Sequence, residues 1–368
     1  MNISISSSFI TLCVSLLFIL FFSLILTHKK SYRLFRADLL FILAIVICLR
    51  MIFPVEFPFT KTIPLPVIMN PIMDFLNFEL FSEIKVMYVL FFIWMTGIGF
   101  GLINHIKNLI VTNKFKDRII RKSRCFKMSE LLQQNVSPDY NVYICDAVSA
   151  PMVIGFKKCI FIPEQEYSQI EMSNILKHEA QHLKQNDFIF KQIVKLLTII
   201  YWWFPPVYLL KKNIDLYVEI RVDEKTTDSL NENETMEYVQ TLISVQKKIM
   251  EDHSKLSKVI SSNMIGENKD ILSYRVNYLL NKPIHKKTNK IILCLLFLLP
   301  LASNSIIFEA YFERSEELEG TYDFEDLVDE CYLVEHKDGT YSLFLDNEFV
   351  SVEDPTEFIE SGMKIVKE

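Results

Sequence analysis

Histidine is scarce in this 368-residue chain, with seven in all, so any pattern among them carries weight. Cysteine is equally sparse, at positions 13, 48, 125, 145, 159, 294 and 331, and no Cys-x-x-Cys pair occurs. That spacing supports neither a disulfide framework nor a cysteine zinc site. Basic residues are missing from Met1–Ser8, where a cleaved signal peptide would carry its charged start. The apolar segment that follows therefore reads as a retained membrane span. Internal repeats and low-complexity tracts are also missing.

What is abundant is apolar sequence. Half of the residues are hydrophobic and the mean hydropathy is +0.22, high for a soluble protein. Four stretches suit a bilayer core of about 30 Å. They are Phe9–Thr27, residues 38–53, Val86–Ile103 and Ile291–Ile307, the last closing a region that runs to residue 310. Arg50 lies late in the second, where a long cation can snorkel.

Charge placement sets the orientation. Lys29, Lys30, Arg33 and Arg36 follow the first span, a basic run from Lys107 to Arg124 follows the third, and Lys282, Lys286, Lys287 and Lys290 precede the fourth. The positive-inside rule places all three in the cytoplasm. The N-terminus, the loop 55–85 and the tail 311–368 are then expected outside. That tail carries eighteen acidic and four basic residues, leaving the remainder of the chain at +8 against an overall −6.

Residues 107–290 are long enough for one compact cytoplasmic domain. Its early part reads as β: Tyr140–Ala147, then Ala150–Pro163 with a hairpin-like break at Gly155–Lys158. Ser168 and Glu171 have capping-box spacing ahead of an apolar periodic run, predicting a helix over Gln169–Gln185. On it the chain reads Leu-Lys-His-Glu-Ala-Gln-His, with His178 and His182 one turn apart on one face.

With seven histidines, His-Glu-x-x-His arises by chance in roughly one such chain in a hundred. The spacing lets two imidazoles reach one Zn²⁺. Glu179 then stands beside the metal, placed to act as the general base on a water. Asp215–Leu230 predicts a second helix, on which Glu219 can supply a third ligand and Asp223 can accept a hydrogen bond from a ligand histidine. The bland reading of the same residues is an ordinary solvated helix face. The stretch Val194–Leu210, with Tyr201, Trp202 and Trp203 abutting Pro205-Pro206, reads as a hairpin leaning on the inner leaflet, or as a buried core helix ended by the prolines.

The run from Ser149 to Asp187, the following Tyr-Trp-Trp-Phe-Pro-Pro segment and the Glu219-x-x-x-Asp223 helix resemble the BlaR/MecR-type membrane zinc metallopeptidases. The likeness covers about residues 1–310 and includes the four-span layout. It implies an α-helical polytopic membrane protein, bacterial and resident in the cell membrane, with a cytoplasmic α+β gluzincin-like protease domain. In that family pattern His178, His182 and Glu219 hold one zinc per chain, Glu179 is the catalytic base and Asp223 supports the ligands. Asp187 matches an acidic position after the motif, where it either ties the helix end to a neighbour or supports a ligand.

The resemblance further implies hydrolysis of a cytoplasmic repressor-like protein, or of the chain itself, with a homodimer as a further expected partner and no direct nucleic-acid binding. A non-proteolytic receptor with a structural zinc is the alternative. Drug-sensing relatives carry an external penicillin-binding domain, which is not expected here. The Ser-x-x-Lys matches at Ser244 and Ser361 have no such domain around them. In its place the acidic tail is expected to be a small β-module, or a partly disordered segment with one hairpin at Asp338-Gly339.

Overall fold

The computed structural model describes residues 4–27, 37–54, 56, 58, 60–81, 84–155, 157–252, 269–281, 298, 302, 305–311, 331–337, 340–345, 348–352, 355–361 and 363–367. The chain divides into two units, Met1–Ala310 and Tyr311–Glu368.

The first unit opens with α1 (Ile5–Thr27) and α2 (Ala37–Ile52), followed by β1 (Lys61–Pro64), α3 (Pro66–Asn77), β2 (Glu79–Phe81) and β3 (Ile84–Lys85). Helix α4 (Val86–Lys122) then runs unbroken for 37 residues, about 55 Å at 1.5 Å per residue. The expected third span is only its first half. Among the described residues α1 and α4 are long and apolar enough to cross a membrane, and Leu40–Ile52 within α2 is a shorter apolar helix.

Most of the expected fourth span, and the connection 28–36, lie outside the described residues. The end of that span needs correction. Ile306–Glu309 is a strand, β8, paired in parallel with β1 from Lys61↔Ile306 to Pro64↔Glu309. The Ile-Ile-Phe run that looked like the tail of a helix is β-branched and aromatic, and β1 satisfies its backbone.

The middle of the unit holds β4 (Arg124–Lys127), α5 (Met128–Leu132), β5 (Asn141–Cys145), β6 (Met152–Val153) and β7 (Cys159–Pro163). They form one sheet in the order β4-β5-β7-β6, with β5 and β7 parallel and the other pairs antiparallel. Gly155, at φ +71°, turns the chain between β6 and β7. Helix α6 (Gln169–Gln185) begins at a Ser168–Glu171 capping box in which each side chain bonds the other's backbone N–H. It packs Ile175, Leu176 and Leu183 against Val142 of β5 and Ile160 and Ile162 of β7.

Helix α7 (Asp187–Ile200) and α8 (Pro206–Thr227) form an antiparallel hairpin, its turn closed by Pro205 and Pro206. Helices α9 (Glu232–Asp252) and α10 (Lys269–Leu280) complete the unit. The hairpin packs against α2. Near its base Phe41 of α2 meets Phe190 at 5.6 Å between ring centroids. Near its tip Tyr201 donates to the Met51 carbonyl at 2.7 Å. Helix α7 therefore follows α2 along almost its whole length, and the largest core of the protein is shared by α1, α2, α7 and α8. The reason lies in the sequence of α7: it carries two apolar faces, one buried at Val194 and Leu197, the other exposed at Ile189, Ile193, Leu196 and Ile200.

The hairpin tip also docks on α4. Trp94 donates its indole N–H to the Ile200 carbonyl at 2.7 Å. A Cβ at Gly97 would meet the Trp202 indole at 2.3 Å, and one at Gly101 would meet Ile199 at 2.8 Å, whereas Gly99 has nothing within 4 Å. Gly97→Ala should thus lower stability by about 1–3 kcal/mol through overpacking. Gly99→Ala should instead be neutral or gain up to about 1 kcal/mol of helix propensity. Thermal unfolding of the two variants in the same detergent checks the difference.

The second unit contains β9 (Tyr332–Glu335), β10 (Tyr341–Leu345), β11 (Glu348–Val352), α11 (Thr356–Glu360) and β12 (Ile365–Lys367). Its sheet order is β11-β10-β9-β12, the first two pairs antiparallel and the last parallel. The expected hairpin strands are β9 and β10, although Asp338 and Gly339 lie outside the described residues. Leu333, Leu343 and Met363 form a small core, so the tail carries more structure than one hairpin.

Candidate metal centre

Helix α6 presents two faces. The row Ile175, Leu176 and Leu183 rests on the sheet. His178 and His182 lie on the neighbouring row, turned toward α8. Glu179 is three or four positions from Ile175, Leu176 and Leu183, so it shares the sheet-facing side. Both His178 and Glu179 are 8 % exposed.

Helix α8 supplies the opposing wall. Glu219 Oε2 lies 3.6 Å from the Nε2 atoms of His178 and of His182, and those two nitrogens are 3.3 Å apart. These three groups are the metal-competent cluster found among the described residues. Ligands placed about 2.0–2.1 Å from a tetrahedral ion stand about 3.4 Å from one another. The spacing therefore suits a small divalent cation with a fourth position left over.

The other ring nitrogens are held from behind. His182 Nδ1 bonds Asp187 Oδ2 at 2.7 Å. His178 Nδ1 bonds the Tyr238 hydroxyl at 2.7 Å, and Tyr238 donates in turn to Asp223 Oδ1 at 2.7 Å. A hydroxyl that donates to Asp223 must accept from the ring, which assigns the proton of His178 to Nδ1. The carboxylate does the same for His182. In its neutral form each histidine then offers a bare Nε2 to the shared space.

Local backbone makes this possible. Asn186 ends α6 in the left-handed region, at φ 55°, and its N–H caps the His182 carbonyl. The chain turns at once into α7, returning Asp187, the first residue of that helix, to His182. Asparagine tolerates that conformation better than most residues.

The pocket favours positive charge. Burial alone would push His182 down, but the Glu219 carboxylate and Asp187 outweigh it and raise its pKa to about 10. His178 is likewise raised: burial is opposed by Asp223 and Glu219. Glu219 falls well below the usual carboxylate range, since His182 and Lys191 overcome its burial. Two protons held by histidines, or one divalent cation, answer the same negative field.

Several contributing residues were invisible to motif reasoning. Tyr238 comes from α9 and Arg275 from α10, 60 residues from His178 and 52 from Asp223. Arg275 clamps Asp223 through Nε and a terminal nitrogen, both at 2.7 Å, and lies 3.6 Å from Glu219. Lys191 reaches the other Glu219 oxygen at 3.3 Å. Asp223 is held down at about 2 because Arg275 outweighs its burial. The expected link from a ligand histidine to Asp223 is bridged by Tyr238, the direct separation being 3.4 Å.

A half-buried His-His-Glu cluster able to hold a metal ion, with a glutamate beside the first histidine, sits in a chain whose described residues also include two helices long and apolar enough to cross a membrane. The chain belongs to the BlaR1 peptidase M56 family, whose model matches residues 1–279. It is similar to the methicillin resistance mecR1 protein of Staphylococcus aureus, 24 % identical over 211 residues, covering 55 % of this chain and 35 % of the relative. The regulatory protein BlaR1 of Bacillus licheniformis is 22 % identical over 182 residues, covering 47 % and 30 %. The matches thus span about a third of these curated relatives.

Proposed function

We propose that this chain is a membrane-embedded zinc metalloendopeptidase that cuts a cytoplasmic repressor-like protein, or itself, in response to an extracellular or membrane signal. The observation that carries the reading is the convergence of three ligand atoms, two of them imidazole nitrogens bared by hydrogen bonds to their opposite edges. His178, His182 and Glu219 are the zinc ligands in this reading. Bound there, zinc supplies Lewis acidity for a peptide carbonyl and for a water. Glu179 Oε takes the proton from the attacking water and delivers it to the leaving amine nitrogen. Tyr238 with Asp223, and Asp187, hold the histidine rings in their ligating tautomers.

Substrate enters as a strand along β6, the short edge strand of a sheet on which α6 lies with Glu179 on its sheet-facing side. The parallel pairing of β1 with β8 supports a topology in which the loop 55–85 and the end of the fourth span share one side of the membrane. The exposed apolar row on α7 supports a hairpin set among lipids beside α2. The printed names of the relatives, a resistance protein and a regulatory protein, support a regulatory role.

Purified full-length protein should carry about one zinc per chain, and His178→Ala, His182→Ala and Glu219→Ala should each lose it. Elemental analysis after exhaustive dialysis measures this. Stoichiometric zinc in the Glu219 variant would show that the third ligand has been misassigned. Incubation with a chelator should stop cleavage, and added zinc should restore it.

A further inference from the structure

Arg221 takes no part in the ligand set, yet it is buried in a chain of contacts that ends on a ligand. One terminal nitrogen bonds Asp187 Oδ1. The other oxygen of the same carboxylate, Oδ2, holds His182 Nδ1 at 2.7 Å. On its far side the guanidinium carbon stands 4.6 Å from the centroid of the Phe41 ring and 5.7 Å from that of Tyr217.

The hydrogen bonds alone do not fix this guanidinium. Among the described residues its Nε is buried without a hydrogen-bond partner. A guanidinium tied to a carboxylate by a single nitrogen can swing about that contact, whereas a paired fork cannot. The aromatic rings supply the missing restraint. Phe41 is itself braced, 5.6 Å from Phe190 at 66° and 6.3 Å from Tyr217 at 18°. Phe190 lies one turn after Asp187 on α7, and Tyr217 one turn before Arg221 on α8. The α2 ring is thus wedged between the helices that bear Asp187 and Arg221.

We propose that Arg221 is a positioning residue for the metal ligand His182, and that Phe41 on α2 sets where Arg221 stands through the face of its ring. The inference rests on the reading of His178, His182 and Glu219 as a metal site. Its chemistry is direct. Asp187 is 2 % exposed, and a buried carboxylate keeps its orientation only while its cation stays in register. A shift of the guanidinium therefore turns the carboxylate, and with it the imidazole ring that must present Nε2. Because α2 lies along α7 from Phe41 to Met51, displacement of α2 is felt at a metal ligand without passing through the fourth span.

The test measures zinc affinity of the full-length protein in lipid nanodiscs, by competition with a chromophoric chelator. Phe41→Leu, which keeps apolar bulk and removes the π face, should weaken zinc binding by roughly 2- to 30-fold. Phe41→Tyr should bind as the unmutated protein does. Asp187→Asn should weaken binding by roughly 10- to 100-fold, and adding Phe41→Leu to it should cost nothing further. Ile47→Ala, elsewhere in the α2 core, should leave affinity unchanged.

If the unmutated chain binds no zinc, the metal reading falls and this inference with it. If it binds zinc and Phe41→Leu matches it, the inference alone is overturned. The same holds if Phe41→Leu adds in full to Asp187→Asn, or if Ile47→Ala weakens binding as much.

Discussion

Replacing Glu179 with glutamine should reduce peptide cleavage by about 10²- to 10⁴-fold while zinc content stays at about one per chain. Glutamine has nearly the shape of glutamate and so preserves packing between α6 and the sheet. It cannot take a proton from water. Glu179 is separate from the three converging ligand atoms, so its loss should spare the metal. Parallel measurement of zinc content and cleavage of the chain, or of a repressor-like substrate, separates three cases. Lost cleavage with zinc retained supports the peptidase. Lost zinc would make Glu179 a ligand. Retained signalling with neither changed would favour a receptor built around a structural zinc.

Much of this centre is written locally. The His178–His182 spacing is a property of one helix, and the helix boundaries follow from the Ser168–Glu171 cap, so α6 is legible over Gln169–Gln185 without tertiary information. Glu219 and Asp223 are similarly one turn apart. The sequence is silent where partners come from afar. Nothing near Tyr238 or Arg275 marks them, because their roles exist only once α9 and α10 pack against α6 and α8. Arg221 looks like one more charge on a polar helix, and only the aromatic contact with α2 distinguishes it.

The packing among the apolar helices is not legible in the same way. Hydropathy finds apolar segments well but cannot distinguish a lipid-facing helix from one buried against its neighbours. Helix α7 is short for a span and carries two lysines, so it reads as part of a cytoplasmic domain. Its packing along α2 through Phe190 and its contact with α4 at Gly101 through Ile199 depend on which faces meet. Composition does not encode that. The strand Ile306–Glu309 is not legible for a related reason, since three apolar residues before a glutamate have no period long enough to tell helix from strand.

The largest stability effect should come from Arg275→Met. Asp223 is fully buried and receives two bonds from Arg275 and one from Tyr238, all at 2.7 Å. Removing the guanidinium strands a carboxylate in a dry interior, which typically costs about 3–5 kcal/mol. The sign of the pH dependence follows from Asp223 itself. Its pKa is lowered to about 2 in the fold, so the stabilisation is complete above the unfolded carboxylate pKa and is lost as pH falls through that value toward 2. In Arg275→Met the cause of the depression is gone, and the stability lost should be largest near neutral pH.

The double variant Arg275→Met/Asp223→Leu should recover most of that stability, because no buried charge is left unmatched. It should not recover zinc affinity, since Tyr238 then lacks the acceptor that orients its hydroxyl toward His178. Thermal unfolding and chelator competition on the single and double variants therefore answer different questions. A single variant as stable as the unmutated chain would show that the ion pair contributes little to the fold. A double variant that binds zinc normally would show that His178 is oriented without Asp223, and the hydrogen bond to Tyr238 alone would then suffice to fix its tautomer.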